Sequence, residues 1–370
     1  MAEPLKNQFG APVVRRLGEE IASVYREFDR KAFEREALAG FEAMELLDRG
    51  RHLGRVLAAH LPAEFPKAVD VLLATLPEHK APAGGMSSFF YLPHMEFVRQ
   101  FGVAHFEASM RALHAFTQVF TGEFALRPFL EQHEARTLKQ LHAWTRDPSE
   151  HVRRLVSEGT RARLPWAPRL RSFEKDPTPV IALLEKLKDD PELYVRRSVA
   201  NNLNDIGKDH PKRLIALAAA WMKDASAERE WIVRHALRSS VKQGDTAALK
   251  VLGFGRKSAL KVVEHSITPA KPTMGGKVAI TATLENPTKR PQQVVVDLVV
   301  HFVKAKGGTS AKVFKFSNVS LRGGERITLR KTVSLANLTT RRHYPGAHRV
   351  ELQLNGAVQS LGKFTLLPRA

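Results

Sequence analysis

The sequence predicts two architectures in one chain: an all-α solenoid of repeated helical pairs over residues 1–255, then an all-β sandwich over residues 256–370. Three observations carry this. Apolar residues recur at helical spacing in the first part, an eight-residue segment returns there after 43 residues, and after about Gly255 the apolar period falls to two. With 370 residues, 26% charged and 43% hydrophobic, the chain is long enough for two cores.

The helical elements are read from their apolar positions. Val56, Leu57, His60 and Leu61 form one stripe, and Val69, Leu72, Leu73 and Leu76 another. Thr178 is a plausible N-cap, Pro179 suits the first helical position, and Ile181, Leu184 and Leu187 supply the buried face. Asp147-Pro148-Ser149-Glu150-His151-Val152-Arg153-Arg154 is echoed by Asp190-Pro191-Glu192-Leu193-Tyr194-Val195-Arg196-Arg197, and Val233-Arg234 marks a looser third copy 38 residues further on. An Asp-Pro turn before a helix bearing Val-Arg, at such periods, is the pattern of stacked HEAT-like helical pairs. With Val152, Leu155 and Val156 facing the stack, Arg154, Glu158 and Arg161 fall on the opposite face, expected to be open. Arg197, Asn201 and Asp205 repeat the arrangement. His235, Ser239 and Lys242, with Arg234 and Arg238 alongside, repeat it again. A concave surface lined with arginines and a few carboxylates would suit an elongated anion.

In the last third, Val278, Ile280, Ala282 and Leu284 alternate with polar residues, as do Ile327, Leu329, Lys331 and Val333, and Val350, Leu352 and Leu354; Val313, Phe314 and Phe316 do so more loosely. Asn286-Pro287, Gly307-Gly308, Gly323-Gly324, Pro345-Gly346 and Asn355-Gly356 supply turns. Roughly seven strands in this length suggest an immunoglobulin-like or fibronectin-like sandwich.

Charge narrows the partner. The net charge is +20, of which 20 basic residues against five acidic ones lie from Arg256 onward, a balance of +15. Such a field attracts polyanions, nucleic acid first among them. Cysteine is absent, which excludes disulfides and thiolate chemistry. The amino terminus lacks the apolar core of a signal peptide, and the most apolar run, Val294 to Val303, carries Asp297 and His301, so a soluble intracellular protein is expected. No GxxxxGK[ST] occurs, and His133-Glu134 lacks the second histidine of HExxH, with His142 out of step. His60 and His114 read as packed or surface residues. No metal or cofactor is expected.

The segment Glu158-Gly159-Thr160-Arg161-Ala162-Arg163-Leu164-Pro165-Trp166 sets a carboxylate, two arginines and a large aromatic close together, at a helix end expected to break at Pro165. A carboxylate in an arginine-rich groove repels phosphate and needs a reason. One is an ion pair with Arg154 or Arg161; the other is a cationic substrate, since an N-alkylated base and an oxocarbenium-like sugar are both stabilised by carboxylates and an aromatic face.

His151 to Trp166 and Val195 to Pro211 resemble the signature segments of the AlkC group of HEAT-like-repeat DNA alkylation-repair glycosylases, relatives of AlkD. The resemblance spans the helical region and extends to AlkC members with an appended immunoglobulin-like domain. It implies excision of cationic alkylated bases (3-methylcytosine, 1-methyladenine and N3-alkylpurines such as 3-methyladenine) from duplex DNA, without base flipping and leaving an abasic site. It implies a catalytic cluster of Glu158, Trp166, Glu123 and Asp205, with Glu158 stabilising the sugar cation or activating water. The partner expected is double-stranded DNA, met by a monomer with no membrane association in the bacterial cytoplasm, at the nucleoid. Arg154, Arg161, Arg163, Arg197, Arg234, Arg238 and Lys242 are the expected DNA contacts of the repeats. Arg341, Arg342 and His343, with Lys304, Lys306 and Lys312, are those of the β-domain. The runner-up is a non-enzymatic scaffold that binds nucleic acid or an acidic protein. A metal-dependent nuclease is disfavoured for want of a compact carboxylate and histidine set.

Overall fold

The computed structural model describes residues 5–77, 85–254, 258–338 and 341–369. Among them are 16 α-helices followed by seven β-strands. The expected boundary between residues 255 and 256 lies outside the described residues. The chain divides into two compact units, Met1–Asp209 with Ala227–Ile232, and His210–Ser226 with Val233–Ala370.

The first unit is built from helical pairs, and the predicted stripes form its core. Val56, Leu57, Val69 and Leu72 are buried, whereas His60 stays near the surface, where its Nε2 meets Glu36 at 2.8 Å. The internal repeat has a physical cause. Each Asp of Asp-Pro folds back on its own turn, Asp147 accepting from the Ser149 N–H at 2.9 Å and Asp190 from the Glu192 N–H at 3.0 Å. The first arginine of each Val-Arg-Arg then ties the turn to the helix. Arg153 donates to the Asp147 carbonyl at 2.8 Å, and Arg196 to the Asp190 carbonyl at 2.9 Å. Arg153 also forks onto the Asp190 carboxylate at 2.6 and 3.1 Å, so one repeat is bonded to the next.

Two local expectations shift. The Thr178–Leu187 helix has Pro177 at its N-cap position, and Asp176 accepts from the Thr178 N–H at 3.0 Å, so Thr178 is the first helical residue rather than the cap. Its buried residues are Val180, Leu183, Leu184 and Leu187, with Ile181 partly exposed at the edge of the stripe.

The second unit contains the Pro211–Trp221, Arg238–Lys242 and Thr246–Val251 helices and the strands β1 (Lys261–Thr268), β2 (Lys277–Glu285), β3 (Gln292–Val303), β4 (Thr309–Leu321), β5 (Arg326–Ser334), β6 (Gly346–Leu354) and β7 (Ala357–Leu366). Two antiparallel sheets, β1-β2-β5 and β4-β3-β6-β7, form the sandwich. Val278, Ile280, Ala282 and Leu284 all point into its core, as the alternation predicts. β3 is buried on both faces from Val294 to Val300, which is why its sequence shows an apolar run instead of an alternation. The turn at Gly244 covers part of the second face. A Cβ on Gly356, in the β6–β7 turn, would lie 2.5 Å from the Gly244 carbonyl oxygen, and both glycines have positive φ.

Candidate active site

The Glu150–Gly159 helix packs against the Leu193–Asp209 helix of the next repeat, and the site begins at its carboxyl end. Gly159 permits the close approach there, because a Cβ would sit 2.5 Å from Leu126 Cδ2 of the Glu123–Gln132 helix and force that side chain to shift. The helix stops at Gly159, six residues before Pro165, with the Thr160 hydroxyl donating back to the Val156 carbonyl at 2.8 Å. The chain then crosses residues 160–170 without helix. At Trp166 the backbone turns left-handed with φ 65°, and the indole side is 79% exposed. A bulky residue held in that region is strained, and such strain collects at functional sites.

The face expected to be open is closed. Glu158 and Arg161 are buried and Arg154 is nearly so, because the next repeat lies across them with polar groups rather than apolar ones. The 43-residue offset sets Ser198 against Leu155 and Asn202 against Gly159. Ser198 Oγ donates to Glu158 Oε2 at 2.6 Å, and Asn202 Nδ2 donates to the Ser157 carbonyl at 2.7 Å and to Thr160 Oγ1 at 3.2 Å. These two breaks in the repeat were the sequence signal for a buried polar junction.

Three carboxylates and two guanidiniums form one network. Arg161 donates to Glu158 Oε1 at 2.6 Å and, through Nε, to Asp205 Oδ2 at 2.8 Å; Lys208 meets the other Asp205 oxygen at 2.8 Å. Arg154 donates to Thr121 at 2.6 Å and to both oxygens of Glu123, at 3.1 and 3.5 Å, and lies 3.8 Å from Glu158. Its guanidinium also rests 5.2 Å from the centre of the Tyr194 ring. Burial opposes the charge on Arg154, but Glu123, Tyr194 and Glu158 outweigh it and its pKa is raised. For Arg161 burial is likewise overcome, by Glu158 and Asp205. The ion pairs weighed for Glu158 are therefore formed, with both arginines.

Glu123, Glu158, Arg161 and Trp166 line a cleft of about 800 Å³ whose other walls include Leu92, Phe89, Phe120 and Phe124. Asp205, only 2% exposed, stands behind Arg161, and it does not cap a helix end, since its helix continues through Gly207 to Asp209. The predicted residues thus lie together, Glu123, Glu158 and Trp166 on the cleft and Asp205 bonded to the cleft-lining Arg161.

The predicted DNA contacts divide. Arg154 and Arg161 are engaged in internal ion pairs, as is Arg163, which forks onto Asp209 and reaches Glu174 at 3.5 Å. Arg197 is exposed. Arg234 and Lys242 are exposed and Arg238 half-buried, all three in the second unit. In the sandwich Arg342, Lys304, Lys306 and Lys312 are exposed, while the Arg341 guanidinium lies 5.0 Å from the Phe302 ring centre. His343 is buried against the same ring, and burial lowers its pKa. Among the described residues no group of three or more His, Asp and Glu could hold a metal ion, and no helix is long and apolar enough to cross a membrane. His114 pairs with Asp147 at 2.7 Å and His133 Nε2 with the Val103 carbonyl at 3.2 Å.

Residues 105–240 match the family described as DNA alkylation repair enzyme, and residues 261–368 match the one described as uncharacterised protein YhaZ, C-terminal Ig-like domain. The fold and site thus define a helical-repeat DNA alkylation repair protein that carries an Ig-like domain. Across the whole of both chains it is similar, at 38% identity and a TM-score of 0.92, to the Pseudomonas fluorescens alkylpurine DNA glycosylase AlkC, solved bound to DNA containing an abasic site analog. The uncharacterized protein YhaZ of Bacillus subtilis (strain 168) is 35% identical over 356 residues, 96% of this chain and 97% of that protein. The chain belongs to the AlkC family of DNA alkylation repair proteins.

Proposed function

We propose that the protein is a monofunctional DNA glycosylase that hydrolyses the N-glycosidic bond of cationic alkylated bases in duplex DNA, namely 3-methylcytosine, 1-methyladenine and N3-alkylpurines such as 3-methyladenine. The observation that carries this reading is the set of Glu123 and Glu158, held by Arg154 and Arg161 on one wall of a cleft with the exposed indole of Trp166 at its edge. The base leaves with the bonding electron pair, which neutralises its positive charge, so no acid is needed to protonate it. Water oxygen bonds to C1′ and its proton passes to a carboxylate or to solvent. Carboxylates preorganised by buried guanidiniums stabilise the oxocarbenium-like sugar without reorganising at the moment of reaction.

The partners of each carboxylate suggest a division of labour. Both oxygens of Glu158 already accept short hydrogen bonds, from Arg161 and Ser198, which suits electrostatic stabilisation. Glu123 accepts only longer bonds, from a single arginine, which leaves it the better suited of the two to receive the water proton. Trp166 supplies an aromatic face to the sugar and the cationic base. An exposed indole on an open loop supports attack on a base that stays in the helix instead of one flipped into a pocket. DNA is held as a monomer through Arg197, Arg234, Arg238 and Lys242, and through the exposed lysines and Arg342 of the sandwich, in the bacterial cytoplasm at the nucleoid.

The test is release of 3-methyladenine or 3-methylcytosine from duplex DNA in EDTA by wild type, Glu158→Gln and Glu123→Gln. Release by wild type that collapses in both variants, with DNA binding retained, is expected. Tight, salt-sensitive binding without release by any of the three would overturn the enzyme and leave a nucleic-acid scaffold.

A further inference from the structure

We infer that Arg127 is the positioning residue of this site: it clamps the two ends of the loop that carries Arg161 and Trp166, and so sets the indole against the carboxylates. Arg127 lies on the Glu123–Gln132 helix, on the same element as Glu123 and one turn away. Its side chain is buried. Nη1 donates to the Arg161 carbonyl at 2.9 Å and to the Gly159 carbonyl at 3.5 Å, and Nη2 donates to the Pro168 carbonyl. One planar fork therefore holds the end of the Glu150–Gly159 helix and the far side of the loop, with Trp166 between its anchors.

Three features make this more than a packing role. Within the loop the backbone bonds are few, Ala167 N–H to the Leu164 carbonyl at 3.3 Å and Leu170 N–H to the Ala162 carbonyl at 3.2 Å, and the side-chain ties of Arg161 to Glu158 and Asp205 and of Arg163 to Asp209 all lie before Trp166. Its strained residue, Trp166, has an exposed side chain, so packing of the indole does not hold its conformation. Finally, Arg127 is placed at a cost. Burial pushes its pKa down to about 10, and its Nε has no hydrogen-bond partner, a penalty that apolar filling would have avoided. A lysine presents a single point of charge and does not span both carbonyls in the fork geometry.

The inference rests on the glycosylase reading, and the experiment separates the two. Single-turnover base release, duplex Kd and amide hydrogen exchange are measured for wild type, Arg127→Lys, Arg127→Met, Trp166→Ala and Trp166→Ala/Arg127→Lys. Arg127→Lys is expected to lower the release rate by up to about 100-fold, the cost of misplacing a catalytic group by about 1 Å, with Kd within a factor of about three. In the Trp166→Ala background the same change is expected to have little further effect, because its target is already gone. Exchange is expected to rise at residues 162–170 and not in the rest of the helical unit. Unchanged exchange at these amides, or a full additional loss in the Trp166→Ala background, overturns the clamp. If wild type releases no base, the glycosylase reading fails and exchange alone judges the clamp.

Discussion

Removing the guanidinium that two buried carboxylates share tests the network most directly. Arg161→Met keeps the length and apolar volume of the side chain and takes away the donors to Glu158 and Asp205. Both carboxylates are almost fully buried, and breaking one buried pair typically costs about 3–5 kcal/mol, because the remaining charge is left uncompensated. Glu158 retains Ser198 and a longer contact to Arg154, and Asp205 retains Lys208, so the lower end applies, about 3 kcal/mol. For a unit of this size a urea m-value of roughly 2–3 kcal/mol/M turns that into a midpoint shift of about 1 M. Unfolding followed by circular dichroism gives the shift. The companion is Arg161→Met with Glu158→Gln and Asp205→Asn, which removes the stranded charges and is expected to recover more than half of the loss. A single variant that loses less than about 1 kcal/mol, the scale of an exposed pair, refutes the argument. So does a triple variant no more stable than the single one.

Trp166→Gly relieves a left-handed backbone that glycine adopts freely, so the melting midpoint is expected to hold or rise by up to about 1 kcal/mol equivalent while base release falls at least tenfold; loss of both together would mean the indole is structural. Asp297 is 4% exposed on β3, and burial pushes its pKa up to about 6, with Lys315 and Lys242 only partly offsetting. The fold then binds the proton more tightly than the unfolded chain does, so this group's contribution is fully present below about pH 4 and is lost as pH rises through about 6. Asp297→Asn is expected to abolish that slope and to stabilise the second unit near neutrality by up to about 3 kcal/mol, read from urea midpoints across this pH range. His94 runs the other way. Burial lowers its pKa to about 3, so the helical unit is expected to lose stability as pH falls below about 6.5, a dependence that His94→Gln should remove. Gly159→Ala forces a methyl against Leu126 and is expected to cost about 1–3 kcal/mol and to slow base release, both checked on one preparation.

What the sequence made legible follows from how many faces each element buries. β2 buries one face, so Val278, Ile280, Ala282 and Leu284 announce themselves by alternation, whereas β3 buries two and loses the period. The repeat was readable because Asp147 and Asp190 each need their turn and their arginine. The site was readable only as a set of residues. Helical spacing puts Arg154, Glu158 and Arg161 together, but whether their face meets water or a neighbour depends on what the next repeat presents. Ser198 and Asn202 answer that, and they are informative only once the two repeats are superposed. Arg127 carried no signal: it lies outside the repeat and bonds only to carbonyls, which any sequence supplies.

On the proposed reading, the closed face also bears on how a protein of net charge +20 acts on a cationic base. An open lining of arginines would draw phosphate into the centre of the site. Here Arg154, Arg161 and Lys208 are matched by Glu123, Glu158 and Asp205, so the network carries no surplus of positive charge. On that reading buried arginine orients carboxylate in place of recruiting backbone, and the positive field proposed to attract DNA is that of exposed residues elsewhere, such as Arg197 and the lysines of the sandwich. Long-range attraction is screened by salt within about 10 Å at moderate ionic strength, whereas a buried network is screened far less. Raising salt should accordingly weaken DNA capture while leaving the rate of base release from bound duplex nearly unchanged, and a release rate that falls in step with affinity would show the two functions to be carried by the same charges.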